Sequence, residues 1–149
     1  MCQDYSDNQE ELAAMTLKTK RLLVKLNATD YADTIQKEKI WREMFGSIGN
    51  NVLIASDVKI YTATHSTKVS ERTAQNWDEN SGISFCNTFA QPVIIEDNVW
   101  IGGGSIILPN VTIGKNSVIG AGSIVTRSIP SNCVAVGNPC RVIKYVENE

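Results

Sequence analysis

The chain lacks several features that would point to particular classes of protein. Among its 149 residues there is one histidine, His65, and the four cysteines show no CxxC spacing. A bound metal is therefore poorly supported, and we expect reduced, partly buried thiols. No apolar run approaches the roughly 18 residues of a membrane span, and the acidic N-terminus is unlike a signal peptide. We expect a cytoplasmic protein without a membrane partner.

An excess of positive charge is also missing. Lysine and arginine number 14 against 16 acidic residues, which gives a formal net charge of -2. The chain as a whole therefore has no positive field that would collect nucleic acid, and an anionic ligand would need a local basic cluster. The length suits one core with a small appendage rather than two domains of comparable size.

The first 46 residues show helical spacing. Apolar residues recur at intervals of three, seven and four along the first stretch, at Leu12, Met15, Leu22 and Leu26. A second, shorter helix is predicted from about Thr34 to Phe45, after a break at 27–30. We expect a helical hairpin over 1–46, packed as one structural unit with residues 47–149.

From residue 48 onward the period of the sequence changes to six. Nine hexads begin with isoleucine or valine, at Ile48, Ile54, Ile60, Ile95, Ile101, Ile107, Ile113, Ile119 and Val125. The six that begin at Ile95 and end with the hexad of Val125 are contiguous. Such a repeat suits a coil of three short parallel strands per turn, with the first residue of each hexad pointing into a narrow core. A β-sandwich would instead show a period of two and irregular turn spacing.

The repeat is interrupted once, by residues 66–92, which carry no hexad signal and are predicted to form an extruded loop. Ile95 follows Ile48 by 47 residues, which is not a multiple of six, so the loop also resets the phase of the repeat. Asparagine and glycine recur at the third and fourth positions of the hexads, as at Asn50-Asn51 and Gly103-Gly104, where tight corners need left-handed backbone.

Several motifs in this order resemble the maltose, galactoside and nodulation sugar O-acetyltransferases of the hexapeptide-repeat class. They are YTATH at 61–65, NVWIGGG at 98–104, VTIGKNSVIGAGSIVTRSIP at 111–130 and VGNPCRVIK at 136–144, together with LKTKRLLVKLNATDY at 17–31. The resemblance implies a left-handed parallel β-helix, a homotrimer, and acetyl transfer from acetyl-CoA to a sugar or similar small acceptor. A γ-type carbonic anhydrase, which shares the coil, needs three zinc-binding histidines and is excluded.

On the acceptor side, the resemblance implies that His65 is the general base, because it ends the matching YTATH motif. An alcohol attacks a thioester only as its proton is removed, and imidazole titrates near neutrality. Without the motif, a lone histidine beside a polar loop would more often be an ordinary surface residue. Asp4 matches a position that can contact the acceptor sugar, although an acidic residue ahead of a helix also favours the helix dipole.

On the donor side, Gly103 and Ala121 lie one predicted coil apart and would form a smooth track for the pantetheine arm of CoA. The resemblance places CoA contacts at both, with the Gly103 amide as a donor to the oxyanion. It also implies phosphate contacts, and Arg127 and Arg141 offer forked donors for them. The remaining implied CoA contacts are Thr126, Lys144 and Trp100. Lys144 could equally belong to a solvated face, and Trp100 could equally be a core residue.

The chain departs from its relatives on the acceptor side. Between Phe45-Gly46 and Ile48 the family normally has about two further coils, which carry side chains that hold the acceptor. Two hypotheses therefore remain open. The chain is an acetyl-CoA-dependent O-acetyltransferase with His65 as base, or it is a CoA-binding or assembly module with little catalysis.

Overall fold

The coil of hexads is a parallel β-helix with three faces. A computed structural model describes residues 3–4, 14, 17–18, 21–22, 24–26, 28–30, 32–44, 47–75, 77–80 and 85–147. Face A consists of β2 (Leu53–Ile54), β7 (Trp100–Ile101), β10 (Val118–Ile119) and β12 (Cys133–Val136), which pair in parallel. Outside them, β13 (Arg141–Tyr145) pairs antiparallel with β12 at the C-terminal end.

The other two faces repeat the same arrangement. Face B is formed by β3 (Lys59–Ile60), β8 (Ile106–Ile107) and β11 (Ile124–Val125), and all its pairs are parallel. Face C is formed by β6 (Ile94–Ile95) and β9 (Thr112–Ile113), with single parallel bridges from Ile48 and Ile129 at its two ends. The prediction of three short parallel strands per turn is confirmed.

The first residues of the hexads fill the core, as predicted. In the six contiguous hexads their exposed fraction is at most 2%. Each buried isoleucine stacks on its equivalent in the next coil, and burial of one such side chain contributes about 1.5–3 kcal/mol. The first coil differs, because Ile48, Ile54 and Ile60 are only partly buried. They pack against one neighbouring coil only, so this end of the prism is less well covered.

The corners of the coil adopt the backbone predicted from their asparagines and glycines. Positive φ angles occur at Asn51, Asn98, Asn116 and Asn132 in the corner before face A. They recur at Gly104 and Gly122 in the corner between faces A and B. Asparagine and glycine tolerate this left-handed backbone better than other residues, which explains their place in each repeat.

The phase shift predicted for the loop is also confirmed. Leu53 pairs with Trp100 and Ile48 with Ile95, so a step of 47 residues stacks the first coil on the second. The segment 66–92, predicted as an extruded loop, contains regular structure of its own. It contains a short helix, Val69–Arg72, and β5 (Phe89–Ala90), which lies between β4 (Ala63–Thr64) and β1 (Gln3–Asp4) in a separate antiparallel sheet.

The N-terminal region is described in part. Residues 14, 17–18, 21–22, 24–26 and 28 are helical, and a second helix, Thr34–Met44, agrees with the prediction as far as residue 44; Leu12, Met15 and Phe45 lie outside the described residues. Asp33 caps this helix, because its carboxylate accepts a hydrogen bond from the Gln36 amide at 2.9 Å. No helix in these ranges is long and apolar enough to cross a bilayer.

Candidate active site

His65 lies where the chain leaves the coil at the junction of faces B and C. It follows β4 directly, and its imidazole is exposed to solvent. The ring nitrogen Nδ1 lies 2.8 Å from the carbonyl oxygen of Asn87. Since a carbonyl can only accept, Nδ1 carries the hydrogen in this contact, and in the neutral ring the lone pair is then on Nε2. The ring is therefore oriented as a base, with Nε2 as its proton acceptor.

Asn87 was not singled out from the sequence. It stands 22 residues after His65, in a segment without a repeat signal, and no motif links the two. Its side-chain Nδ2 donates to the Glu71 carbonyl at 2.9 Å, and its backbone N–H donates to the Arg72 carbonyl at 2.7 Å. Both acceptors belong to the short helix Val69–Arg72, so the contact depends on the tertiary fold of the loop.

The predicted track of small residues lies at the corner between faces A and B. We call the column formed by Ser56, Gly103, Ala121 and Gly137 the glycine corner. The Gly122 amide donates to the Gly103 carbonyl at 2.9 Å, which places the two predicted positions in adjacent coils. Ala121 is exposed. Its methyl group is the only side chain among the last three residues of the column, because the other two are glycines.

The predicted basic cluster is only partly assembled within one chain. Arg141 and Lys144 are exposed on β13, and Arg141 follows the chain segment that contains Gly137, at the C-terminal end of the glycine corner. Thr126 and Arg127 are also exposed, but they lie at the far end of face B, after β11. No described contact joins the two pairs.

Trp100 and Asp4 are placed by their strands. Trp100 lies in β7 with 51% of its surface exposed, so the reading of this side chain as core is wrong. Asp4 lies in β1, where it pairs with Phe89, and Phe89 pairs in turn with Thr64 beside His65. Neighbouring strands lie about 5 Å apart, so β1 lies about 10 Å from β4 across the sheet. The Asp4 backbone therefore lies near His65.

Other chemistries find little support among the described side chains. No group of three or more His, Cys, Asp or Glu residues in these ranges could hold a metal ion. Of the described cysteines, Cys133 and Cys140 are buried, and Cys86 is partly buried. Burial raises the pKa of the Cys140 thiol, more than the neighbouring Ser123 and Arg141 lower it. A higher pKa leaves less thiolate, so Cys140 is a poor nucleophile.

Two family models match this chain. The bacterial transferase hexapeptide model, with six repeats, matches residues 92–127, and the maltose acetyltransferase hexapeptide capping motif matches residues 3–49. The galactoside O-acetyltransferase of Escherichia coli (strain K12) is 32% identical over 173 residues, covering 97% of this chain and 85% of that protein. The chain belongs to the hexapeptide-repeat sugar O-acetyltransferase family.

Solved structures of the family agree with this fold. A maltose O-acetyltransferase from Clostridium difficile 630 is 36% identical, with a TM-score of 0.70 over 99% of this chain and 94% of that one. A galactoside acetyltransferase in complex with coenzyme A is 30% identical, with a TM-score of 0.62, covering 95% and 86%. Membership of this family implies that the β-helix is left-handed. Other curated acetyltransferases are 46–54% identical, but the chain spans only 44–45% of their length.

Proposed function

We propose that this family member transfers the acetyl group of acetyl-CoA to a hydroxyl group of a sugar or similar small acceptor, with His65 as general base. The observation that carries the proposal is the hydrogen bond from His65 Nδ1 to the Asn87 carbonyl, which leaves Nε2 free to take a proton. Similarity to galactoside and maltose O-acetyltransferases supports the choice of acceptor class.

The reaction needs one proton acceptor and one site for negative charge. His65 Nε2 removes the proton of the acceptor hydroxyl as its oxygen attacks the thioester carbonyl, and a tetrahedral intermediate forms. The C–S bond then breaks, and the same imidazole returns the proton to the departing CoA sulfur. The Gly103 amide is the proposed donor to the oxyanion, and among the described residues it is not engaged by any backbone acceptor.

The donor is proposed to lie along the glycine corner. The pantetheine arm is long and thin, and a column of residues with small side chains lets it approach the backbone closely. We place its contacts at Gly103 and Ala121, with Trp100 beside them and with Arg141 and Lys144 at the phosphate end. Thr126 and Arg127 would contact phosphate from the far end of face B. A relative solved with coenzyme A supports a binding site of this kind.

The acceptor is proposed to bind beside the antiparallel sheet, between His65 and Asp4. The first coil has partly buried core residues and lies close to the helix Thr34–Met44, since Arg42 donates to the Ile48 carbonyl at 3.4 Å and to Asn50 Oδ1 at 3.2 Å. This contact supports the proposal that residues 1–46 form a cap on the coil 47–149 within one structural unit. The further coils that the family normally has between Gly46 and Ile48, which would help to orient an acceptor, are missing from the sequence.

The test is release of thiol from acetyl-CoA, measured with and without maltose, glucose or a galactoside. We expect slow turnover with a high acceptor KM, because loss of acceptor positioning raises the barrier. His65→Ala should lower the acceptor-dependent rate by about 10²–10⁴-fold. Thr67→Ala, an exposed neighbour whose side chain makes no described contact, is the matched control. Equal rates in the parent and His65→Ala would instead favour a CoA-binding module with little catalysis.

A further inference from the structure

We infer that Asn87 and Glu71 are positioning residues for His65, because their side chains tie together the two segments whose contact orients the imidazole. The inference rests on the proposed function, in which His65 is the base. It adds two residues, from the loop that interrupts the hexad repeat, to the machinery of that site.

The imidazole of His65 depends on one hydrogen bond for its orientation. The ring is exposed, so no close packing holds it, and the described bond is that from Nδ1 to the Asn87 carbonyl at 2.8 Å. If this carbonyl moved, the ring could rotate and the hydrogen could occupy either nitrogen. Only the tautomer with hydrogen on Nδ1 presents a basic Nε2 to an acceptor hydroxyl.

The Asn87 carbonyl is held from one side by the short helix Val69–Arg72. The amide side chain of Asn87 donates to the Glu71 carbonyl at 2.9 Å, and its backbone N–H donates to the Arg72 carbonyl at 2.7 Å. Carbonyls at the end of a helix have no partner within it, so they are free to accept these bonds. Two bonds to consecutive carbonyls hold Asn87 beside the helix, and with it the carbonyl that contacts His65.

The same helix is tied to the residue that follows His65. Glu71 accepts a hydrogen bond from Ser66 Oγ at 2.6 Å through one carboxylate oxygen, and from Lys68 Nζ at 2.8 Å through the other. Arg72 also donates to the Ser66 carbonyl at 3.2 Å. The Lys68 ammonium, and then the Ser66 hydroxyl, lower the pKa of the Glu71 carboxyl, so it stays ionised near neutral pH.

These contacts form a closed ring, which we call the base brace: His65, Ser66, Glu71 and Asn87, with the imidazole closing the circuit. Asn87 and Glu71 contribute different kinds of hydrogen bond to the base brace. Asn87 supplies an amide donor that a carboxylate could not replace, and Glu71 supplies a charged acceptor with two oxygens. The ring joins positions 65 and 87 across a segment of the chain that leaves the coil and returns to it.

The only histidine of the chain provides a direct readout of the base brace. Nitrogen-15 NMR of histidine-labelled protein reports which ring nitrogen carries hydrogen, without reference to activity. We expect the parent to show hydrogen on Nδ1. Asn87→Ala keeps the backbone carbonyl but deletes the amide, and we expect a mixture of tautomers with kcat about 10-fold lower. KM for acetyl-CoA should stay unchanged.

Two further variants complete the experiment. Asn80→Ala makes the same chemical change on an exposed asparagine of the same loop and should leave both readouts at parent values. Glu71→Gln keeps the side-chain size and should shift the tautomer in the same direction by a smaller amount, so the inference remains testable if Asn87→Ala does not fold.

The inference is overturned if the parent carries its hydrogen on Nε2, or if Asn87→Ala and Glu71→Gln both leave the Nδ1 signal of the parent intact. An inactive parent that nevertheless shows hydrogen on Nδ1, lost in Asn87→Ala, would overturn the proposed function and support the base brace.

Discussion

At the scale of single residues, the position just before the glycine corner leaves no room for a side chain between neighbouring coils. A Cβ atom placed on Gly102 would lie 2.5 Å from the Ala121 amide nitrogen, so this position requires glycine. The outward-facing side is open, since a Cβ on Gly122 would meet nothing within 4 Å. The coils stack tightly towards the core of the prism, and the surface side of the corner is open. Together these features make a shallow, smooth channel along the corner.

The proposed CoA channel can be tested at its exposed methyl group. Ala121→Leu would place a branched side chain in the channel and should abolish measurable binding of free CoA in calorimetry. Arg141→Ala, at the phosphate end, should weaken binding by about 1–3 kcal/mol through loss of charged hydrogen bonds. Ala28→Leu, the same change at an exposed position of the N-terminal region, is the control. Parent-like CoA affinity in Ala121→Leu would show that the channel lies elsewhere.

At the scale of structural elements, the corner before face A contains a ladder of asparagine side chains. Asn51 donates to Asn98 at 3.1 Å, Asn98 to Asn116 at 2.9 Å, and Asn116 to Asn132 at 2.7 Å. All four residues have positive φ, so each corner combines backbone that suits asparagine with an amide that bonds to the next coil. The ladder links the four turns along one edge of the prism.

The contribution of the ladder can be separated from that of the backbone. Asn98→Ala removes two side-chain hydrogen bonds and places alanine at a φ of 57°, and we expect a loss of about 2–4 kcal/mol in the free energy of unfolding. Asn98→Gly removes the same bonds but tolerates the backbone, so its loss should be smaller by about 1 kcal/mol. Urea denaturation at fixed protein concentration measures both, and equal losses would refute the backbone argument.

The sequence predicts the coil well because the coil is a local repeat. The residues at the head of the contiguous hexads stack on equivalents 18 residues away, and counting in sixes also predicted that the loop resets the phase, which the structure shows as a step of 47 residues. The interior of the loop could not be predicted in this way. The antiparallel sheet joins β1, β4 and β5 from three distant parts of the chain, and the bond from His65 to Asn87 connects residues beside two of these strands.

At the scale of the whole molecule, the two halves of the proposed site lie at different corners of one prism. His65 lies where the chain leaves the coil between faces B and C, whereas Gly103 and Ala121 lie between faces A and B. Face B separates these corners. A symmetric assembly would bring the two halves together, because His65 of one protomer would meet the glycine corner of its neighbour. A short prism also buries little apolar surface alone.

We therefore expect a homotrimer with three parallel prisms and three shared sites. Light scattering should give three times the 16.4 kDa protomer mass. The sharper test mixes two inactive variants, His65→Ala and Ala121→Leu, by unfolding and refolding them together. If each site takes its base from one protomer and its channel from the next, random mixing of equal amounts should restore about a quarter of the parent rate. Refolding each variant separately and mixing afterwards is the control. A monomer mass, or no recovery in trimers shown by mass spectrometry to be mixed, would require the base and the channel to meet within a single protomer.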